Sequence, residues 1–204
     1  MNKIRAWHFC SGWKLRDGQP LEVGKTYTHK GPLKMCASGL HASRKILDAL
    51  RYAPGNTCCE VELWGDVVED NDKLVARNRK VIAAIDATTI LHEFACDCAV
   101  AALLLAEVED QWCWNAIEAK WAWLRGDIDA QELAAAGNVA RDTAWDAAWA
   151  AAWDAAGNAA GDAAWDAAYA AMDAAWDAAR DATGDEQNTV LTNTIKEALK
   201  QAKE

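Results

Sequence analysis

No run of this chain is apolar enough to cross a bilayer. The longest, Cys98 to Ala106, falls far short of the roughly 20 residues a membrane helix needs. The opening MNKIRAWHFC has no apolar h-region and no small-residue cleavage site, so the chain is expected to stay in the cytoplasm where it is made, with no membrane partner. The phosphate-cradling patterns G-x-G-x-x-G and G-x-x-x-x-G-K-[ST] are missing, which removes the two common nucleotide folds that depend on them. So is the G-x-S-x-G elbow of serine hydrolases. No C-x₂-C pair exists to nucleate a structural zinc site. His92 and Cys96 do stand at i,i+4, but Cys98 falls on another helix face, and neither a metal nor a cofactor is expected. The seven cysteines are odd in number and irregular in spacing, which suits reduced, buried thiols rather than a disulfide framework.

What is present divides by charge. The net charge of −10 splits into +4 over residues 1–86 and −14 over residues 87–204. A basic first part can face an anion, and an acidic second part repels nucleic acid, which is not expected as a partner. The expected organisation is therefore a basic mixed α+β domain over 1–86 and an acidic helical region over 87–204, an α+β chain overall.

Within 1–86, IRAWHF (Ile4–Phe9) reads as an opening strand. Glycines then punctuate a series of short turns. Arg44 to Tyr52 reads as a short helix with Ile46, Leu47 and Leu50 on one face, ended by Pro54-Gly55-Asn56. CCEVELWGDVV (Cys58–Val68) alternates, placing Cys59, Val61 and Leu63 together. Lys73–Arg77 and Lys80–Ile85 read as two further strands. From Asp86 the pattern turns helical, with Asp86 or Thr88 as cap of a helix to about Val108 and a stripe of Ile90, Leu91, Phe94, Cys98, Ala101 and Leu105. Asp110 is the candidate cap of a second helix carrying Trp112, Trp114, Ile117, Trp121 and Leu124, which Gly126-Asp127 breaks. Asp129 starts the next.

Residues 137–185 then repeat X-Asp-Ala-Ala, with tryptophan at X in Trp145, Trp149, Trp153, Trp165 and Trp176. Four residues turn about 400°, so each X drifts ~40° from the last. The drift gathers the tryptophans into two ridges separated by GNAAGD (Gly157–Asp162), with Gly157 as C′ of one helix and Asp162 as cap of the next. A helical hairpin is preferred over one long bent helix. The aspartates solvate its flanks, and the region is expected to build a homo-oligomer. Thr189–Glu204 reads as a final amphipathic helix with a partly frayed end.

The order AWHF, VGKTY, Cys36, GLHAS, ILDALRYAPG, VELWG, DKLVARNRKV and IDATTILHEFA resembles a domain family of unknown function scattered through tailed-phage and prophage genomes. Its members carry Ala/Trp/Asp-rich helical tails, and the likeness covers roughly residues 3–97. The resemblance implies a phage accessory protein in the bacterial cytoplasm, with no activity and no catalytic residues attached.

The residues themselves suggest where an anion could sit. His41 precedes a helix N-terminus, where free N–H groups attract negative charge. Ser43 is better placed to cap that helix than to act as a nucleophile. Arg44 and Lys45 in the first turn oppose the helix dipole unless they serve an anion. Lys73 opens a basic set in which Arg77 and Arg79 share one strand face, as a bidentate clamp for phosphate or carboxylate would. Trp7 and Tyr52 can stack on a base, and His8 sits beside Trp7. The leading expectation is a non-enzymatic binder that sequesters a small anionic, nucleotide-derived ligand and so counters host defence. The second is an interaction module whose Trp-rich helices grip a host protein. The third is a nucleotide- or ADP-ribose-processing enzyme using His8, His41 and Glu62.

Overall fold

The computed structural model describes residues 3–105, 107, 109, 111–139 and 184–202. The X-Asp-Ala-Ala repeat from Arg141 to Arg180, its tryptophan ridges, the Gly157 and Asp162 assignments and the Asp110 cap all lie outside the described residues. Two compact units are present: Met1–Leu91 with Asp185–Glu204, and His92–Gly184.

The first unit is a mixed α+β fold built on a five-stranded antiparallel sheet: β1 (Ile4–Cys10), β2 (Thr26–Thr28), β3 (Leu40–Ala42), β4 (Thr57–Glu69) and β5 (Leu74–Asp86). The hydrogen-bonded order is β1-β4-β5-β2, with β3 also paired to β5. Just beyond β3, Ser43 and Trp7 exchange two backbone hydrogen bonds of 2.8 and 2.9 Å. That exchange returns the chain to β1 and closes the sheet on itself at that point.

Residues opposite one another across antiparallel strands share a face. Ala6 faces Val61, His8 faces Cys59, Leu63 and Tyr27 both face Arg79, and Val61 faces Val81. The alternation read in Cys59, Val61 and Leu63 is thus the inner face, all three fully buried. Leu15 and Leu21, from the turn-rich segment after β1, complete that cluster. Trp7 and Phe9 occupy the other face and are buried too.

Lys73–Arg77 and Lys80–Ile85 are parts of one strand, β5, rather than two. Nothing breaks it at Asn78, whose side chain is held by Thr28 Oγ1 at 2.8 Å and the Trp64 carbonyl at 3.4 Å. Curvature comes instead from single-residue bulges at Glu60/Val61 and Trp64/Val67. Gly65, at φ +88°, supplies the second.

α1 (Ile46–Arg51) is shorter than expected. Its N-cap is Lys45, with no side-chain cap bond, so Ser43 does not cap it; Ser43 is spent on the closing exchange with Trp7. Residues 184–201 form a helix whose Leu191, Ile195 and Leu199 are buried. The helix is amphipathic as expected and is docked on the first unit; the end expected to fray, residues 203 and 204, lies outside the described residues. Lys45 pairs with Asp185, and the Leu47 N–H donates to Asn188 Oδ1 at 3.3 Å.

α2 (Thr88–Leu105) starts where the Asp86 carboxylate accepts the Thr88 N–H at 2.9 Å, the cap read from the sequence. In the second unit, α3 (Gln111–Arg125) stops at Gly126, φ +79°, whose N–H donates to the Trp123 carbonyl. A further helix covers 130–139. Asp129 accepts the Gln131 and Glu132 N–H groups while Glu132 accepts its own N–H, a reciprocal capping box. His92 meets Trp123 edge-to-face at 5.3 Å. Among the described residues, no helix is long and apolar enough to cross a membrane, and no group of three His, Cys, Asp or Glu gathers as metal ligands would.

Candidate functional site

β5 carries an arginine into the core. Arg79 falls opposite Leu63 and Tyr27, on a strand that otherwise gives Leu74, Ala76 and Val81 to the core cluster, and it is 4% exposed. Its Nη1 donates to the His41 carbonyl at 2.8 Å. Its Nε is buried with no hydrogen-bond partner. No carboxylate is bonded to it among the described residues. Burial pulls its pKa down from the ordinary arginine value, opposed by the thiols of Cys59 and Cys10, the phenol of Tyr27 and, most weakly, Asp17. A buried charge left this way costs several kcal/mol, so the geometry is that of a cation awaiting a negative partner.

His8 reaches the same face from β1. It is half-buried, and its ring makes no hydrogen bond among the described residues. Burial first, then the charge of Arg79 and the neighbouring His41, hold its pKa well below 6.5. His8 is therefore neutral at pH 7 and offers one donor and one acceptor.

His41 is committed to the protein at both ring nitrogens. Nε2 accepts the Cys36 N–H at 3.0 Å, and the Gly39 backbone bonds the ring as well. Its pKa is lowered by burial, against the pull of Gly39, and further by Arg79, Arg16 and Lys73. Protonating Nε2 would set it against the Cys36 N–H. A folded pKa below the unfolded one makes stability full above the unfolded value of about 6.5 and lost as pH falls from there through the folded value. We therefore expect denaturant midpoints to drop between pH 7.5 and 5.5. His41→Gln, which keeps an acceptor without titrating, should reduce that slope and leave the share due to His8; an unchanged slope would show that His41 contributes none of it.

The other sequence candidates are held elsewhere. Trp7 is in the core on the opposite face from His8, and Ser43 is buried against it. Arg44 precedes the helix rather than opening it and forms a two-point pair with Glu69. Lys45 is likewise paired with Asp185, so neither charge is left for an anion at the helix end. Lys73 lies over the Tyr52 ring at 4.3 Å and donates to its hydroxyl at 3.0 Å; that bond and one to Cys36 raise its pKa. Tyr52 also donates to Asp72. Arg77 is a clamp within the protein: Nη2 and Nε reach Asp66 at 2.9 and 3.2 Å, and Nη1 reaches the carbonyls of Gly31 at 2.6 Å and His29 at 3.2 Å. Glu62 faces away from His8, bonded to Lys3 at 3.0 Å, and that bond first of all lowers its pKa. A neutral acid there would have to form against three cations, Lys3, Arg5 and Lys80.

The structure thus brings His8, Arg79 and the His41 carbonyl together and leaves Trp7, Arg44, Tyr52 and Arg77 out. Two thiols that sequence reasoning passed over, Cys10 and Cys59, join the group. Cys10 stands two residues from His8 on β1, and Cys59 faces His8 across β4, so strand alternation alone could have found both.

Residues 5–93 match a protein family described as Domain of unknown function (DUF7666). The match runs from β1 into α2 and contains every site residue above; it lies within residues 3–97, where a domain of unknown function was expected. No curated protein and no solved structure matches the chain.

Proposed function

We propose that this chain is a non-enzymatic binder of a small anionic, nucleotide-derived ligand, held in its first unit by Arg79 and His8. In this reading it is a tailed-phage accessory protein that withdraws a host defence signal from solution. The observation that carries the reading is the buried guanidinium of Arg79, with Nε unpartnered. An anionic oxygen there would gain a charge-assisted hydrogen bond, worth about 1.5–3 kcal/mol in a dry setting. Neutral His8 can donate a second. Against processing chemistry, Glu62 points to the other face of the sheet and cannot act with His8 on one substrate.

A second reading has its own support: Trp112 is 49% exposed and Leu104 64% exposed in the helical unit, which suits capture of a protein partner. One experiment separates the readings. Purified protein is incubated with a panel of nucleotides and cyclic nucleotides, filtered, heat-denatured, and the released ligand identified by mass spectrometry. An intact anion carried through with the protein supports sequestration. An altered one would mean catalysis. Nothing retained would sink the anion reading and turn attention to a protein partner.

A further inference from the structure

A guanidinium that is 4% exposed cannot be reached from solvent unless something over it moves. The sheet lies behind Arg79, and the Ser43–Trp7 exchange closes the side between β3 and β1. The cluster of buried side chains on this inner face comes from the strands, with two exceptions, Leu15 and Leu21. Both belong to residues 13–22, between β1 and β2. Among the described residues, that segment is the one cover of the inner face that is not itself part of the sheet.

The segment is bonded to itself. The Leu21 N–H donates to the Trp13 carbonyl and the Leu15 N–H to the Gln19 carbonyl, both at 2.8 Å, and the Gly18 N–H reaches the Leu15 carbonyl at 2.9 Å. At its tip the Asp17 carboxylate takes the Gln19 N–H at 3.1 Å and the Gln19 side-chain amide at 3.0 Å. A loop closed by its own contacts is a compact piece that can shift whole. Gly12 precedes it at φ +57°, and a Cβ built there would meet nothing within 4 Å, so no neighbour opposes a backbone rotation. At the far end Val23 is 54% exposed, and the next residue, Gly24, anchors the chain to β5 through its N–H and the Val81 carbonyl at 2.8 Å. Domain and loop closures turn about a few such positions.

The segment is fastened to the sheet beside the group it covers. Tyr27 leaves β2 directly opposite Arg79. Its hydroxyl accepts the Glu22 N–H and donates to the Pro20 carbonyl, both at 3.0 Å. Two bonds thus meet on one atom. We infer that residues 13–22 are the gate to Arg79, latched by the Tyr27 hydroxyl: the segment swings about Gly12 and Val23, lifts Leu15 and Leu21 off the inner face and uncovers the guanidinium. The gate rests on the reading of Arg79 as the anion site. It sets the order of capture, opening first and binding second, and its reclosure shuts water out around the held anion.

The test needs no ligand. Folded full-length protein is treated with phenylglyoxal, which modifies arginine, and separately with iodoacetamide, which alkylates thiols, and peptide mapping follows Arg79 and Cys58. Cys58 is fully buried on the other face of the sheet, so it reports unfolding of the sheet; tandem mass spectrometry separates it from Cys59. Each rate is divided by its rate in urea-unfolded protein. Local opening is easier than global unfolding, so Arg79 should be at least ~10-fold less protected than Cys58. Equal protection overturns the gate. Tyr27→Phe deletes both latch bonds and should speed Arg79 labelling by about 10–100-fold, with Cys58 unmoved. An unmoved Arg79 rate in that variant, or a rise shared equally by Cys58, overturns the latch. Should Tyr27→Phe fail to fold, Leu21→Ala strips the cover instead, with the same expectation, and the parent comparison stands in either case. Failure to retain any nucleotide would strike the anion reading and leave these labelling rates untouched, so the two ideas fail separately.

Discussion

Arg79→Met is expected to abolish anion capture while leaving the protein as stable as its parent, or more so. The opposing effects can be weighed. The substitution gives up one hydrogen bond, Nη1 to the His41 carbonyl at 2.8 Å, worth about 1.5–3 kcal/mol because its donor is charged. It also removes the standing cost of a buried guanidinium whose Nε has no partner, which is of order several kcal/mol. Methionine is long and flexible enough to fill the vacated space beside Leu63 and Tyr27. The denaturant midpoint should stay level or rise by up to about 2 kcal/mol, while retention of the anion falls at least ~100-fold, the loss that goes with truncating one partner of a buried charge pair. A drop in stability beyond about 3 kcal/mol would instead identify Arg79 as a pin for the His41 carbonyl.

Gly39→Ala should be the most damaging single-atom addition in the first unit. Gly39 sits at φ +118°, outside the left-handed helical region that asparagine or aspartate can occupy. A Cβ there would lie 2.3 Å from Val75 Cγ2 and 3.0 Å from Leu33 Cδ2. Val75 is fully buried and β-branched, so it cannot swing away as a long side chain would. Backbone strain of about 1–3 kcal/mol adds to overpacking of about 1–3 kcal/mol. A total near 3 kcal/mol would lower Tm by roughly 10–20 °C. The effect should spread to His41, whose ring bonds the Gly39 backbone, so the pH-dependence of unfolding should weaken too. Thermal denaturation followed by circular dichroism measures both; a loss under about 1 kcal/mol would mean that the 36–39 turn relaxes freely.

Where local periodicity decided the outcome, the sequence could be read directly. Cys59, Val61 and Leu63 repeat at the strand period and are the buried face of β4. Asp86, Gly126 and Asp129 are local stop and start signals, and each acts where it stands. The site was another matter. Arg77 and Arg79 were read on a pair of strands where β5 alone carries both, and their fates depend on groups far along the chain. Arg77 meets Asp66 only because the bulge at Trp64/Val67 turns β4 toward it, and Arg79 is buried only because Tyr27 and Leu63 register opposite it. Local sequence sees RNRK as a basic surface cluster. Ser43 gave the same kind of error: Ser before a helix reads as a cap, and its real partner, Trp7, lies on another strand. Leu191, Ile195 and Leu199 announce an amphipathic helix, yet nothing in their spacing names the surface they seek.

That last helix carries a consequence for synthesis. The Lys45–Asp185 and Leu47–Asn188 contacts join residues 140 and 141 positions apart. At about 5–20 residues per second, a ribosome needs roughly 7–28 seconds to pass from one partner to the other. Once β5 ends at Asp86, all five strands are made and can pair, while the helix that brings Leu191, Ile195 and Leu199 into the same unit does not yet exist. The first unit is begun by its own strands and finished by a helix made about 100 residues after β5, so a chain stalled before that helix presents a bare surface to chaperones and proteases.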